Sequence, residues 1–494
     1  VTKARRLVRW VVVPIALGVA AVAAAVLLFA IHARMTLPAL HAWHRVVLTE
    51  EFHAGRASTP RTFDEYRLLE GRLFDELRRK VVDDPTSSDG FLLSRYRPGS
   101  VPEKLALDTR YNRSYELVPP HPRGAVLLVH GLTDSPYSMR ALADTFFGEG
   151  YHVVVLRLPG HGTIPASLCD VTWQDWYAAV VLGVRHAAEA AGPGRPVLAA
   201  GYSTGAALVT LYALRASEDP ALPRLDRLYL ISPAIGVSKL AVLTHVLDGL
   251  GSVPYFEKSK WLDVIPEYDP YKYNSFPIQA GNQIYRLTNE LRSSLDAAQA
   301  HGTLGAMPKI IVFQSLVDAT ILASEVVSGL LERLPPAGHE LVVFDVNRRD
   351  ALEAMIAAGP DAALDRLSAS SSLPFRLTVI SNRESTTTSV AAFTRDAGSK
   401  EFRRDDLALS WPAGVLSLGH IALPFPIDDP VYGLTPVPSE GPALPLGSFS
   451  ARGEPGAMVV PFDTLSRLRS NPFFDLIRTK VRESLNPAPG QLSR

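Results

Sequence analysis

The chain has 494 residues, 47% of them hydrophobic and 20% charged, which is enough to bury a large core in two or three domains. Fifty Lys and Arg balance fifty Asp and Glu, and no dense basic cluster stands out in the soluble part, so nucleic acid is not the expected partner. The single cysteine, Cys169, excludes an internal disulfide and a cysteine-based zinc or iron–sulfur site.

The first element is an uncharged run of 22 residues, Trp10 to Ile31, about the length that crosses a hydrocarbon core. Lys3, Arg5, Arg6 and Arg9 precede it and only Arg34 and Arg45 follow closely, so the charge bias puts residues 1–9 in the cytoplasm and the remainder across the membrane. The rival is a cleaved signal peptide. The run is longer than a usual signal core and no clean small-residue site follows it, although Ala23 to Ala25 lie within it. His32, His41, His44 and His53 flank the segment at spacings that match no metal site and read as interfacial polar residues.

After a tether from Leu37 to about Pro60, Thr62 and Glu65 form a capping pattern ahead of apolar positions at Phe63, Tyr66, Leu69, Leu73, Leu77 and Val81. One amphipathic helix is expected there, packed on the domain that follows, with a helix lying on the membrane surface as the alternative. Short apolar strands then alternate with helical segments: Gly124 to Val129, Val153 to Leu156, Val197 to Ala200, Leu228 to Ile231, Ile310 to Phe313 and Leu341 to Phe344. This order predicts an α/β fold, a mostly parallel sheet with helices on both faces, with chemistry at the carboxyl ends of the strands. Those ends carry His130-Gly131, Gly160-His161-Gly162, Gly201-Tyr202-Ser203-Thr204-Gly205, Ser232-Pro233 and Asp318.

A lone G-x-S-x-G is a weak signal. Between a strand and a helix it becomes a nucleophile elbow, in which two glycines permit a turn too tight for a Cβ and the serine hydroxyl stands exposed. The Thr204 N–H opens the helix, and a second oxyanion donor is expected from the loop after the Gly124 strand, at Leu132. With VLLVHGLTDSPYSMRALADTF, VVVLRLPGHGT, Trp173 with Trp176, VLAAGYSTGAAL and KIIVFQSLVDATI, the sequence resembles the α/β-hydrolase superfamily, in the branch of monoglyceride lipases, carboxylesterases and serine aminopeptidases. The resemblance covers about residues 111 to 236 and 306 to 325 closely and the region of His420 loosely, and it implies the order serine, acid, histidine.

Asp318, in the turn after the Ile310 strand, is assigned as the acid, against a simple capping role. Two histidines follow it. His339 precedes its strand and so lies at the wrong end, whereas His420 closes an apolar run before a Pro-rich loop and is assigned as the base, against a buried structural role. About a hundred residues separate Asp318 from His420, more than relatives have. Either an insertion with a helix (Ala351 to Ser368) and a strand (Leu377 to Ile380) intervenes, or the register of the last strands is misread. His130 and His161 are expected to shape loops, and Cys169 to be a small packed residue.

The resulting organisation is a tail (1–9), a transmembrane helix (10–31), a tether and helical extension (32–110), a first hydrolase core segment (111–236), a lid (237–305), a second core segment (306–436, with an insertion at about 345–410) and a C-terminal extension (437–494). The lid joins Leu240 to Leu247 to an aromatic stretch, WLDVIPEYDPYKYNSFP, which suits an acyl pocket but equally suits packing. Its Glu257, Asp263, Glu267 and Asp269 offer a site for a substrate ammonium. Met458 to Phe462 is apolar, Pro472 to Leu485 is expected to be helical, and no P-loop or dinucleotide fingerprint implies a cofactor. The expected activity is cleavage of a lipid or small carboxylic ester through a Ser203 acyl-enzyme, with Ser203, Asp318 and His420 catalytic and the Leu132 and Thr204 amides binding the oxyanion. The alternatives are an aminopeptidase and a non-catalytic binding module on the same fold.

Overall fold

The structure, a computed structural model, describes residues 10–486 apart from 11, 57–58, 86–89, 237–253, 354–357, 371, 438–442 and 450–465. The basic residues before the apolar run, the Leu240 to Leu247 stretch and Met458 to Phe462 lie outside the described residues. Twelve strands follow in chain order: β1 (Tyr115–Leu117), β2 (Ala125–Val129), β3 (His152–Leu156), β4 (Val197–Tyr202), β5 (Arg227–Ile231), β6 (Trp261–Asp263), β7 (Phe276–Pro277), β8 (Lys309–Ser315), β9 (Glu340–Phe344), β10 (Arg376–Asn382), β11 (Ser389–Arg395) and β12 (Arg403–Ser410). The principal helices are α1 (Val13–Thr36), α2 (Phe63–Leu77), α3 (Arg140–Gly148), α4 (Trp173–Ala191), α5 (Thr204–Glu218), α6 (Ile278–His301), α7 (Ala358–Ala369) and α8 (Phe474–Leu485).

Ten strands form one sheet in the order β1-β3-β2-β4-β5-β8-β9-β10-β11-β12. From β3 through β10 every pairing is parallel, while β1 and the β10-β11-β12 meander are antiparallel. Strand alternation divides the core between two faces. Ala125, Leu127 and Val129 of β2 pack with α4, α5 and α6, whereas Val126 and Leu128 pack with α3 and α8. Both faces are covered, which is why these parallel strands read as continuous apolar runs.

The long separation of Asp318 and His420 is an insertion that extends this sheet. It contributes α7, β10 and the β11 and β12 hairpin. The hairpin is not visible as apolar alternation in the sequence, because β12 is an edge strand carrying Arg403, Arg404, Asp405 and Asp406, mostly exposed. Charges on an edge strand discourage pairing with another chain. The stretch expected to be a lid is two structures. A short turn at Pro254–Lys260 packs on α1, and between β6 and β7 Tyr273 bonds the loops after β2 and β3, its amide donating to the Thr133 carbonyl and its hydroxyl to that of Gly160. The second half is α6, whose Leu287, Leu291 and Leu295 are core residues against α5.

The N-terminal extension is fastened through one buried charge cluster. Arg157, fully buried after β3, donates to Glu51 at 3.0 and 3.2 Å and to Glu70 of α2 at 2.8 Å, and Tyr66 donates to the Arg157 carbonyl at 2.8 Å. Glu70 also accepts from the Ser114 amide and hydroxyl. Thr62 caps α2 by accepting from the Glu65 amide at 3.2 Å, as the capping pattern implied. Farther upstream, α1 runs from Val13 to Thr36 and is long and apolar enough to cross a membrane. Its second half packs on the domain, with Val26 against Ile278 at the start of α6; beyond its end, Lys258 Nζ donates to the Leu37 carbonyl at 2.6 Å and Arg45 pairs with Glu257.

Removing one partner of a buried ion cluster leaves the others uncompensated, at a typical cost of about 3–5 kcal/mol. Arg157→Ala is therefore expected to destabilise the chain by that amount, read as a lower urea midpoint. Combining it with Glu51→Gln and Glu70→Gln is expected to recover part of the loss, and no recovery would mean that the cluster is not the fastening.

Candidate active site

Ser203 sits between the end of β4 and the start of α5 with φ 54°, a left-handed conformation that L-residues avoid. The two glycines make the turn possible. A Cβ at Gly201 would lie 2.4 Å from the Ala206 amide nitrogen, and one at Gly205 would lie 2.1 Å from the Val129 carbonyl oxygen. The turn is pinned from the next strand, since the Ser203 amide donates to the Ile231 carbonyl at 2.9 Å and its carbonyl accepts from Ala234 at 3.2 Å. Among the described residues the Ser203 hydroxyl has no hydrogen-bond partner.

Parallel register lines up the neighbouring strand ends, with Tyr202 opposite Ile231 and Ile231 opposite Phe313. Asp318 follows β8 and is buried, its Oδ1 accepting from the Thr320 and Ile321 amides at 2.8 and 2.9 Å. Its Oδ2 accepts from His420 Nδ1 at 2.8 Å and from Gln314 at 3.3 Å. Burial alone would push the Asp318 carboxyl up, but the hydrogen bonds from His420, Ser232 and Ile321 outweigh it and hold the group below the ordinary carboxylate range. His420 is 7% exposed at the start of a single helical turn, its ring 5.1 Å from that of Tyr202, whose hydroxyl donates to the His420 carbonyl at 3.2 Å.

A further residue belongs to this pair. The Ser232 hydroxyl, at the end of β5, donates to Asp318 Oδ2 and lies 2.8 Å from His420 Nδ1. Ser232 also has positive φ, 45°, and its amide donates to the Phe313 carbonyl at 2.8 Å. The strand-end rule singles out Ser232-Pro233 without giving it a role; what brings it into the site is the in-register step from β4 to β5 to β8.

The expected oxyanion donors lie beside the turn. Thr204 is the first residue of α5, and Leu132 lies between Gly131 and Thr133, whose φ is 64°. Among the described residues neither N–H donates to another protein group. His130 is buried with Nδ1 donating to the Gly131 carbonyl at 2.8 Å and Nε2 accepting from the Leu158 amide at 3.0 Å. His161 Nδ1 bonds the Pro159 carbonyl at 3.0 Å, which also accepts from Trp176. Both therefore hold loops, and burial keeps both imidazoles neutral, His161 falling to about 3.

The lid is spoken for by packing. Tyr271 stacks on Tyr137 at 3.9 Å, next to Phe425 and Tyr432. Of the carboxylates that could meet a substrate ammonium, Glu257 pairs with Arg45, Glu267 accepts from the Asn274 and Ser275 amides, and Asp269 is held by Tyr432 and Arg469. A cavity of about 540 Å³ opens between tether and lid, lined by Pro38, His41, Trp43, Phe91, Val264 and Ile265, and Ser203, Asp318 and His420 are not in its lining.

Residues 120–300 match the family described as serine aminopeptidase, S33. Over 172 residues the chain is 30% identical to a thermostable monoacylglycerol lipase of Bacillus sp. strain H-257, spanning 35% of this chain and 64% of that lipase. Among solved structures, it is similar to those of the metagenome-derived lipolytic enzymes LipS and LipT (23% identity, TM-score 0.38, covering 48% of this chain and 88% of the other). A soluble variant of monoglyceride lipase from Saccharomyces cerevisiae matches at 14% identity and TM-score 0.37, with 47% and 81% covered.

His339 stands at the opposite end of the sheet, its Nδ1 accepting from the Ile310 amide at 3.1 Å. Burial lowers its pKa to about 4 from 6.5, so the unfolded chain takes up the proton first as pH falls. The stability that neutral His339 provides is complete above about 6.5 and is lost between there and about 4, by about 1.4 kcal/mol per pH unit. His339→Asn keeps the acceptor without the titration. Its stability deficit against wild type is expected to shrink by about 2 kcal/mol between pH 7 and pH 5 in urea unfolding, and a deficit constant with pH would overturn this reading.

Proposed function

We propose that this chain, which belongs to the α/β-hydrolase superfamily, cleaves carboxylic esters of lipid type through an acyl-enzyme on Ser203. The observation that carries the reading is the strained serine turn beside a buried aspartate–histidine pair on the adjoining strand ends. In the proposed mechanism His420 removes the Ser203 proton as the hydroxyl attacks the ester carbonyl. Asp318, kept ionised by its donors, holds Nδ1–H of His420, which leaves Nε2 as the base and stabilises the imidazolium. The Leu132 and Thr204 amides receive the negative charge that develops on the carbonyl oxygen. His420 then returns the proton to the leaving alcohol, and water repeats the sequence on the acyl-enzyme.

Ester chemistry is favoured over aminopeptidase chemistry by the lid. A substrate ammonium needs an unspent carboxylate, and Glu257, Glu267 and Asp269 are committed to partners within the protein. The similarity to a monoacylglycerol lipase supports a lipid ester as substrate. We further infer a single-pass arrangement in which α1 spans the cell membrane with residues 1–9 cytoplasmic and the catalytic domain outside, on the strength of α1's length and the charge bias around it.

The test is to label the full chain in detergent with a fluorophosphonate and to compare hydrolysis of monoacylglycerols with that of aminoacyl amides. Wild type is expected to label once and to prefer the esters. Ser203→Ala and His420→Ala are each expected to abolish labelling and to lower kcat by at least about 10⁴-fold. Labelling that persists in His420→Ala would displace the base, and an unreactive, folded wild type would favour the binding module. For Ser232→Ala, loss of one hydrogen bond of about 1 kcal/mol predicts a kcat roughly fivefold lower with KM unchanged.

A further inference from the structure

Toward the end of the sheet away from Ser203, three side chains from three elements converge on one point. Glu116 of β1 presents Oε2 to His152 Nε2 at 2.7 Å and to His186 Nε2 at 2.9 Å, and all three donor atoms lie within 4.8 Å of one another. We propose that this cluster is a structural site for a divalent transition ion, zinc by its donor chemistry.

Two imidazoles and one carboxylate are borderline ligands suited to zinc, which takes N and O donors at about 2.0–2.2 Å in tetrahedral geometry. Donor atoms around such an ion stand about 3.3 Å apart, so Oε2 would move only about 0.5 Å from each ring nitrogen, and the two nitrogens, within 4.8 Å of each other, would settle to the same spacing. Without the ion the same atoms hydrogen-bond to each other. Both rings aim Nε2 at a single oxygen, which is the convergence chelation requires.

The scaffold is rigid. Glu116 pairs with Val154 in the β1–β3 ladder, so Glu116 and His152, two residues before Val154, share a face of the sheet. His186 comes from α4, which packs across β2 and β3. Arg67 of α2 donates to Glu116 Oε1 at 3.0 Å, fixing the carboxylate plane while leaving Oε2 to the histidines, as outer partners of metal-bound carboxylates do. Phe63 of α2 covers the His186 ring at 4.8 Å. The side chains of His152, Glu116 and His186 are 10, 13 and 21% exposed, so the site is walled by protein yet reachable for an ion and one water.

An ion here would not take part in the ester chemistry. His152 opens β3 and Ser203 follows the end of the parallel β4, so the two lie at opposite ends of the sheet. Its effect would be to tie the short edge strand β1 to β3 and α4.

The experiment uses the full chain in detergent, stripped with EDTA and titrated with zinc sulfate against a chromophoric chelator, with thermal unfolding in parallel. Wild type is expected to bind one zinc per chain and to gain roughly 5 °C in its unfolding midpoint. His186→Gln keeps the helix and a donor to Glu116, so its fold should survive, while its zinc affinity is expected to fall at least 100-fold and the thermal gain to vanish. Glu116→Gln should behave in the same way. Wild type that binds no zinc at micromolar concentration would make the cluster a hydrogen-bonded staple only and overturn the proposal. Equal binding by His186→Gln and wild type would place the ion elsewhere and overturn it as well.

Discussion

The arrangement depends on one backbone turn that an L-residue resists. Ser203 at positive φ is tolerated because β4 and α5 are both fixed and because neither glycine of the turn has a Cβ. Every neighbouring feature follows from accommodating that turn. The Val129 and His130 carbonyls come within contact of Gly205, so the loop after β2 starts immediately beside the first turn of α5. The amides of Ser203 and Ala234 tie the turn to β5, and β5 delivers Ser232 to the Asp318 and His420 pair. A strain of about 1–3 kcal/mol is thereby held by a sheet whose core spans both faces.

Around this rigid centre the segments outside the sheet are fastened by buried polar clusters rather than by apolar contact alone. Arg157 joins Glu51 and Glu70 beneath the tether and α2. Asp269 joins Arg469 and Tyr432 between the lid and the C-terminal segment, and Asp429 joins Tyr137 and Arg140. Such clusters contribute little net stability, since desolvation offsets most of the attraction, but they admit only one arrangement of their partners. Held in this way, Tyr271 of the lid stays packed against Tyr137, Phe425 and Tyr432.

Much of this is legible in the amino-acid order, and the exceptions have physical causes. The strands from β2 to β5 and β8 to β10 are apolar runs because both their faces are buried, and the elbow declares itself through two glycines that nothing else can replace. The placements of Ser203, Asp318, His420, Leu132 and Thr204 follow from strand order and loop position. β11 and β12 are hidden because one edge strand is charged on both faces, and α6 because its polar positions mask a stripe at Leu287, Leu291 and Leu295. Ser232 meets Asp318 and His420, and Glu116 meets His152 and His186, through contacts between elements distant in sequence, which no local pattern displays.

The insertion between Asp318 and His420 has a consequence for how the molecule assembles. The two residues share a hydrogen bond across 102 positions of chain, and β9, β10, β11 and β12 all lie between them in sequence. Parallel pairing over long loops is slow, because loop-closure entropy is lost before the contacts form. On the ribosome the serine turn, its helix and the acid are all synthesised well ahead of the histidine. The Asp318–His420 hydrogen bond therefore closes across the whole insertion, whereas the serine turn is held by contacts with the adjacent β2 and β5.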